Sequence, residues 1–222
     1  MTMTSPNESL KLLVVDDHEA ILGGTVMALE KAYPTAKIRT AGTAQAALKE
    51  LTYGFPDLLM MDLSIPKAAG ESSEIDAGIE LLRSLLANHP DLNIVVQSAH
   101  VRSLVRLKPA IDTHQGGFTI ADKNLPMQEM LIKVDWALKG LIYTPRDMRT
   151  GIEVKPEWLA VLRLAFKEGL QDKAIAEEIN VAERTVRHYW TKVQDALEVY
   201  PEAGKNIRIQ TEIRAREEGL ID

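Results

Sequence analysis

The chain has 222 residues, of which 45% are hydrophobic, 26% are charged and none is cysteine. This composition indicates a packed globular protein and excludes disulfides, thiolate metal sites and cysteine nucleophiles. Its formal net charge of -6 argues against a protein that coats nucleic acid by bulk electrostatics, so any DNA binding must be local.

The apolar runs are much shorter than the roughly 20 residues that span a bilayer. Residues 1–9 lack the basic and apolar pattern of a signal peptide. We therefore expect a cytoplasmic protein that does not contact the membrane.

Residues 10–140 alternate short apolar runs with stretches of helical spacing. The apolar runs at 11–15, 37–40, 57–61, 92–97 and 117–120 predict five strands that are buried on both faces. Between them, apolar residues recur at helical intervals, as at Leu22, Val26, Leu29 and Tyr33, and a further helix is predicted over 126–139. Strands joined by crossover helices pair in parallel. The fold class is therefore predicted as α/β, with a five-stranded doubly wound parallel sheet.

The pattern changes after residue 140. Residues 141–154 have weak periodicity and are interpreted as a linker between the domains predicted at 10–140 and 155–222. Helical spacing then returns over 156–168, 172–179, 183–197 and 206–218. The chain is therefore predicted to end in a second, smaller all-α domain.

Three aspartates follow the ends of two predicted strands. Asp16 and Asp17 follow the first strand, and Asp62 follows the third. Ligands of doubly wound sheets bind at the carboxyl ends of the strands. Carboxylates gathered there repel one another, and Mg²⁺, which prefers oxygen ligands, relieves that repulsion. The sequence favours a site for Mg²⁺ and phosphate, and the alternative is that each aspartate caps the helix after it.

The ordered motifs LLVVDDHEA, LLMMDLSIP and QSA resemble the receiver domain of two-component response regulators over residues 10–140. The resemblance implies a flavodoxin-like fold with Asp62 as the phosphoacceptor, Mg²⁺ held by Asp16, Asp17 and Asp62, and Ser98 meeting a phosphoryl oxygen. It also implies that Lys123 is the cation of the site and that Ser98 and Phe118 are switch residues. A sensor histidine kinase would be the phosphodonor.

Two departures from the receiver pattern lie close to this site. The glycine that usually follows the proline by about four residues is matched here by Gly78, so residues 67–77 contain an insertion, which we expect to be a solvated acidic loop. The family lysine, three residues after the strand's aromatic residue, is replaced by Ala121. Lys123 lies roughly 7 Å further along if the strand continues, so its side chain must fold back.

The all-α segment contains a helix, a turn and a second helix, and it resembles the LuxR/NarL-type helix-turn-helix over residues 155–222. That family's signatures match Glu168 to Leu170, Ile175 with Ala176, Val181, and Thr185 with Val186. Residues 184–194 carry basic side chains and no acid, although the same pattern also fits a solvated helix face. The resemblance implies that Arg187, His188 and Thr191 read bases and that Arg184 and Lys192 contact phosphates. It also implies promoter DNA and a second copy of the chain as partners.

Tyr189 and Trp190 are unusual at their positions in this family. We expect one of them to pack in the small core and the other to lie against the DNA backbone, since aromatic rings of this kind more often pack in a core than contact bases.

These observations together predict a DNA-binding response regulator, a switch and not an enzyme, whose transcription-factor activity is controlled by phosphorylation of Asp62. The displaced Lys123 and the insertion favour an alternative, a phosphorylation-independent regulator with a partner-binding receiver. An aspartate-nucleophile phosphatase is disfavoured because its nucleophile and acid would lie in a D-x-D arrangement after one strand.

Overall fold

A computed structural model of the protein describes residues 9–145 and 155–221. Residues 146–154 of the predicted linker therefore lie outside the described residues. The described chain forms two compact units. The first comprises residues 9–101 and 107–145, and the second comprises residues 102–106 and 155–221.

The first unit is built on a parallel sheet. The strands in chain order are β1 (Lys11–Val15), β2 (Lys37–Ala41), β3 (Leu58–Met61), β4 (Ile65–Pro66), β5 (Ser73–Glu74), β6 (Asn93–Gln97), β7 (Phe118–Ala121) and β8 (Ile142–Tyr143). Six of them form one sheet in the order β2-β1-β3-β6-β7-β8, with every neighbouring pair parallel. The fold class is confirmed, as are all five predicted strands. The sixth strand, β8, lies in the segment interpreted as linker, which was wrong for these two residues.

Helices cover both faces of this sheet. They are α1 (Glu19–Ala32), α2 (Ala44–Thr52), α3 (Ile75–Asn88), α4 (Lys108–Asp112), which follows a 3-10 helix at Val101–Leu107, and α5 (Met127–Leu138). Side chains of β1 alternate between the faces, so that Leu12 and Val14 pack with Leu29 of α1 and Val134 of α5. All four side chains are buried. This packing fixes the position of β1 in the sheet and therefore the position of the residues that follow it.

The insertion is more ordered than the solvated loop that we predicted. Strands β4 and β5 pair antiparallel, and α3 begins directly after β5. Residues 69–74 are exposed, as expected. Gly78 lies in the first turn of α3, where a Cβ would come within 2.1 Å of the Leu63 carbonyl oxygen, so this position requires glycine. Two-residue strands are too short to leave an apolar pattern in the sequence.

The described residues of the second unit form four α-helices, α6 (Pro156–Phe166), α7 (Asp172–Glu178), α8 (Glu183–Ala196) and α9 (Ile207–Glu217). Each agrees with its predicted bounds to within two residues. Leu162, Ile175, Val186 and Val193 share one buried core. In the turn between α7 and α8, Asn180 has a φ of 53°, a left-handed conformation that asparagine tolerates.

Within residues 9–145 and 155–221, no helix is both long enough and apolar enough to cross a lipid bilayer.

Candidate functional site

The three predicted aspartates converge at the carboxyl edge of the sheet. Asp16 follows β1 and Asp62 follows β3, and these strands pair directly, with Val15 opposite Met61. Both aspartates are 4% exposed. One carboxylate oxygen each from Asp16, Asp17 and Asp62, together with a ring nitrogen of His18, lie within 4.8 Å of one another. The cluster predicted from the strand ends is therefore present.

Lys123 reaches this cluster despite its displaced position in the sequence. Its Nζ donates hydrogen bonds to Asp16 Oδ2 at 2.8 Å and to Asp62 Oδ2 at 2.9 Å. Strand β7 ends at Ala121, so Lys123 does not continue along a straight strand, and its backbone N–H donates to the Ser98 carbonyl at 3.4 Å. The turn after β7 compensates for the two-residue shift.

The environment of Lys123 keeps its ammonium charged. Burial on its own would lower the pKa of Lys123, but hydrogen bonds from the ammonium to Asp16 and Asp62, and the charges of those carboxylates, outweigh it. The pKa of Lys123 is therefore raised above its ordinary value of 10.5. The side chain is a fixed positive charge between two buried carboxylates at neutral pH.

The two predicted switch residues lie at different ends of the sheet. Ser98 follows β6, between β3 and β7 in the sheet, and is fully buried at the same edge as the aspartates. Its Oγ accepts a hydrogen bond from the His100 backbone N–H at 3.1 Å. Phe118 is also fully buried, but it begins β7 and so lies toward the amino ends of the strands. The structure brings Ser98 to the acidic cluster and does not bring Phe118 there.

Two residues that the sequence analysis did not single out contact Asp17. His18 Nδ1 lies 2.8 Å from Asp17 Oδ1 and 3.5 Å from Asp16 Oδ1. The hydroxyl of Ser73, on β5, donates a hydrogen bond to Asp17 Oδ2. His18 could have been found, since it directly follows the aspartate pair. Ser73 gave no such signal, because it belongs to the insertion and lies 56 residues away.

The donor set suits a hard divalent cation. Carboxylate oxygens are the ligands that Mg²⁺ prefers, and three carboxylates reach one small volume. Asp62 Oδ1 accepts a hydrogen bond from the Leu63 backbone N–H at 2.7 Å, which fixes the orientation of that carboxylate. The arrangement can hold a cation and present a carboxylate nucleophile beside a lysine.

A second candidate site is the exposed face of α8. The five residues predicted to contact DNA are all exposed there: Arg184, Arg187, His188, Thr191 and Lys192. Their spacing of three and four residues places them on one face of the helix. Arg187 forms an ion pair with Glu183, one turn earlier on the helix, and the sequence analysis did not single out that acid. The face is therefore basic, with one of its arginines already paired.

Trp190 anchors the opposite face of α8. It is 3% exposed, and its Nε1 donates a hydrogen bond to Asp172 Oδ1 at 3.0 Å. Arg208 of α9 donates to both oxygens of Asp172 and lies over the Trp190 ring, 3.6 Å from its centre. Tyr189 is half-buried. The prediction that one of the two aromatics packs in the core is therefore confirmed for Trp190.

Comparison with known proteins gives matches along nearly the whole chain. The family model "Response regulator receiver domain" matches residues 12–134. "Transcriptional regulatory protein YdfI" of Bacillus subtilis is 23% identical, and the match covers 95% of this chain and 97% of that protein. "DNA-binding transcriptional activator DevR/DosR" of Mycobacterium tuberculosis is 24% identical, over 83% of this chain and 86% of that protein.

Solved structures give the same result at the level of the fold. The structure of RcsB from Salmonella enterica serovar Typhimurium bound to promoter rprA is similar with a TM-score of 0.57 and 21% identity. The match covers 93% of this chain and 98% of that one.

Proposed function

The chain belongs to the response regulator receiver domain family, and we propose that it is a DNA-binding regulator whose transcription-factor activity is controlled by phosphorylation of Asp62. The observation that carries this proposal is the contact of one lysine, Lys123, with both Asp16 and Asp62 at the carboxyl edge of the sheet. The names of two relatives, a transcriptional regulatory protein and a DNA-binding transcriptional activator, support the second half of the proposal. The protein acts as a switch and not as a metabolic enzyme.

At the first site, an Asp62 oxygen attacks phosphorus, and the bond from phosphorus to the donor breaks as the donor takes its electron pair. Asp16, Asp17 and Asp62 would hold Mg²⁺, which when bound neutralises charge on the phosphoryl oxygens. Lys123 Nζ, already 2.9 Å from Asp62 Oδ2, supplies a second positive charge. The phosphodonor in the cell would be a sensor histidine kinase.

At the second site, α8 enters the major groove of promoter DNA. Arg187, His188 and Thr191 read base edges, and Arg184 and Lys192 contact phosphates. A single helix contacts few base pairs, so the protein binds as a homodimer to two half-sites separated by about 34 Å, one turn of DNA. Arg187→Ala is expected to reduce the preference for promoter over random DNA, whereas Lys192→Ala weakens binding to both about equally.

The test of the switch combines labelling with DNA binding. A small phosphodonor with Mg²⁺ is expected to label the wild-type protein and not Asp62→Ala. Asp122→Asn, which changes the acid beside Lys123, is the control and is expected to be labelled like the wild type. Labelling is expected to increase dimerisation and promoter affinity in the wild type. A wild-type protein that stays unlabelled under conditions that label an ordinary receiver would contradict the proposal.

The alternative of a phosphorylation-independent regulator is favoured by the insertion itself, which pairs β4 with β5 beside the acidic cluster and offers a surface to a partner. In that case Asp62→Ala would bind its promoter as tightly as the wild type, with or without the phosphodonor.

A further inference from the structure

The inserted hairpin, formed by β4, β5 and the residues between them, contacts the acidic cluster through Ser73 of β5. We propose that Ser73 is a positioning residue for the divalent cation: it holds Asp17 in the cluster and thereby increases the affinity of the site for Mg²⁺. This inference rests on the proposed function, because it assigns a role at the same site.

Asp17 is the carboxylate that most needs such a partner. Its side chain is 18% exposed, against 5% for Asp16 and 4% for Asp62. Lys123 bonds to Asp16 and Asp62, the two buried carboxylates. Asp17 is instead held at Oδ2 by the Ser73 hydroxyl, while the His18 ring lies 2.8 Å from Oδ1, which accepts no hydrogen bond from the described residues. Loss of the hydroxyl would leave Asp17 freer to rotate, and a metal would then have to order it at an entropic cost.

A serine hydroxyl can orient a metal-binding carboxylate without competing for it. The hydroxyl is neutral, so it adds no charge that would repel a cation. It also uses only one of the acceptor sites of Oδ2, which leaves a lone pair for a metal. Hydrogen bonds of this kind to ligating carboxylates commonly change metal affinity by 10- to 100-fold, an order-of-magnitude range.

The hairpin holds Ser73 between rigid elements. Within the pair β4 and β5, Ser73 lies opposite Pro66, and Glu74 lies opposite Ile65, which is fully buried. Directly after Glu74, α3 begins, and its Gly78 packs against the backbone of Leu63, the neighbour of Asp62. The hydroxyl is thus fixed relative to the phosphoacceptor and does not sit on a free loop tip.

Thermodynamic linkage allows the contact to be tested both through Mg²⁺ affinity and through the stability of the hairpin. If the Ser73–Asp17 bond raises the affinity for Mg²⁺, then Mg²⁺ must stabilise the contact by the same factor. Binding of Mg²⁺ is therefore expected to slow hydrogen exchange of the backbone amides in residues 67–74. A serine that only stabilised the fold would not respond to the metal in this way.

The experiment measures Mg²⁺ binding by calorimetry on the full chain without a phosphodonor, for the wild type and three variants. Ser73→Ala is expected to bind about 10-fold more weakly. Ser72→Ala is the matched control, since Ser72 is the neighbouring exposed serine and lies outside β5, and Ser73→Thr keeps the hydroxyl. Both are expected to bind Mg²⁺ as the wild type does. Mg²⁺ should slow hydrogen exchange in the hairpin of the wild type and of Ser72→Ala, but not of Ser73→Ala.

The inference would be overturned by equal Mg²⁺ affinities of Ser73→Ala and Ser72→Ala, or by a wild type whose hairpin exchange does not respond to Mg²⁺. A wild type that binds no Mg²⁺ would overturn it as well. Failure of the proposed function looks different, because Asp62 would then resist labelling while the difference in metal affinity between Ser73→Ala and Ser72→Ala persisted.

Discussion

Replacing Gly78 with alanine is expected to destabilise the first unit, because the start of α3 has no room for a side chain there. A Cβ would lie 2.1 Å from the Leu63 carbonyl oxygen, where ordinary contact begins at 3.4 Å, so the two backbones must separate by about 1.3 Å. Overpacking costs roughly 1–3 kcal/mol, and the upper end applies because the obstructing atoms are backbone. Alanine recovers about 1 kcal/mol of helix propensity, which leaves a net loss of about 2 kcal/mol.

Gly23 provides the matched control. It lies inside α1, where a Cβ would meet no atom within 4 Å, so Gly23→Ala is expected to stabilise the protein by about 0.5–1 kcal/mol. Thermal unfolding of the full chain measures both, and Gly78→Ala should melt about 8 °C below the wild type. Because the Leu63 N–H donates to Asp62 Oδ1, labelling of Asp62 should also slow. Equal stability of the two alanine variants would refute the reasoning.

Three further predictions concern single contacts. Lys123→Met removes the cation between Asp16 and Asp62, so it should lower the free energy of unfolding by about 1–3 kcal/mol in the absence of Mg²⁺. Adding Mg²⁺ should reverse that loss. A variant whose free energy of unfolding responds to Mg²⁺ no more than that of the wild type would contradict this prediction. Asp172→Asn loses the ion pair with Arg208, so the free energy of unfolding in urea should fall by about 1 kcal/mol. Asp195→Asn, which changes an exposed residue of α8, is the control and should leave that free energy unchanged. Burial, with the negative charge of Asp135, raises the pKa of Tyr33 above 10.0, so the unfolded state ionises first and stability falls as the pH rises from 10.0 toward the raised pKa. Tyr33→Phe should lose less stability than the wild type over this range of pH. Identical profiles of stability against pH for the two proteins would contradict the role of Tyr33.

The parallel sheet could be predicted because its strands are buried on both faces and therefore read as apolar runs. Strand β8 could not be predicted, since its two residues, Ile142 and Tyr143, are too few to form a recognisable apolar run. The same holds for β4 and β5. The acidic cluster followed from strand order alone. The contact of Lys123 with it did not, because strand geometry beyond Ala121 gave a position roughly 7 Å too far, whereas β7 ends there and the chain turns.

The partners of Asp17 and Arg187 show a second limit of sequence reasoning. Ser73 bonds to Asp17 across 56 residues, and no local pattern reports such a contact. Glu183 and Arg187, by contrast, are four residues apart on one helix, a spacing that favours ion pairs. The basic pattern of residues 184–194 leaves out Glu183, which directly precedes it. The contact between Ser73 and Asp17 was therefore inaccessible from the sequence, whereas the Glu183–Arg187 ion pair could have been predicted from the positions of acidic and basic residues together.

The charge balance at the acidic cluster indicates how phosphorylation would be felt beyond Asp62. Three carboxylates face one lysine, so a divalent cation brings the formal charge of the group close to zero. In the proposed function, phosphorylation converts the Asp62 carboxylate into an acyl phosphate, a mixed anhydride without a carboxylate charge, and so removes the ion pair that Lys123 now makes with Asp62 at 2.9 Å. Lys123 keeps its bond to Asp16, and phosphoryl oxygens are the natural replacement for the lost one. The Lys123 backbone N–H also donates to the Ser98 carbonyl, so a movement of Lys123 that included its backbone would act on the ends of both β6 and β7. The displaced lysine therefore connects Asp62 with the ends of two further strands of the sheet.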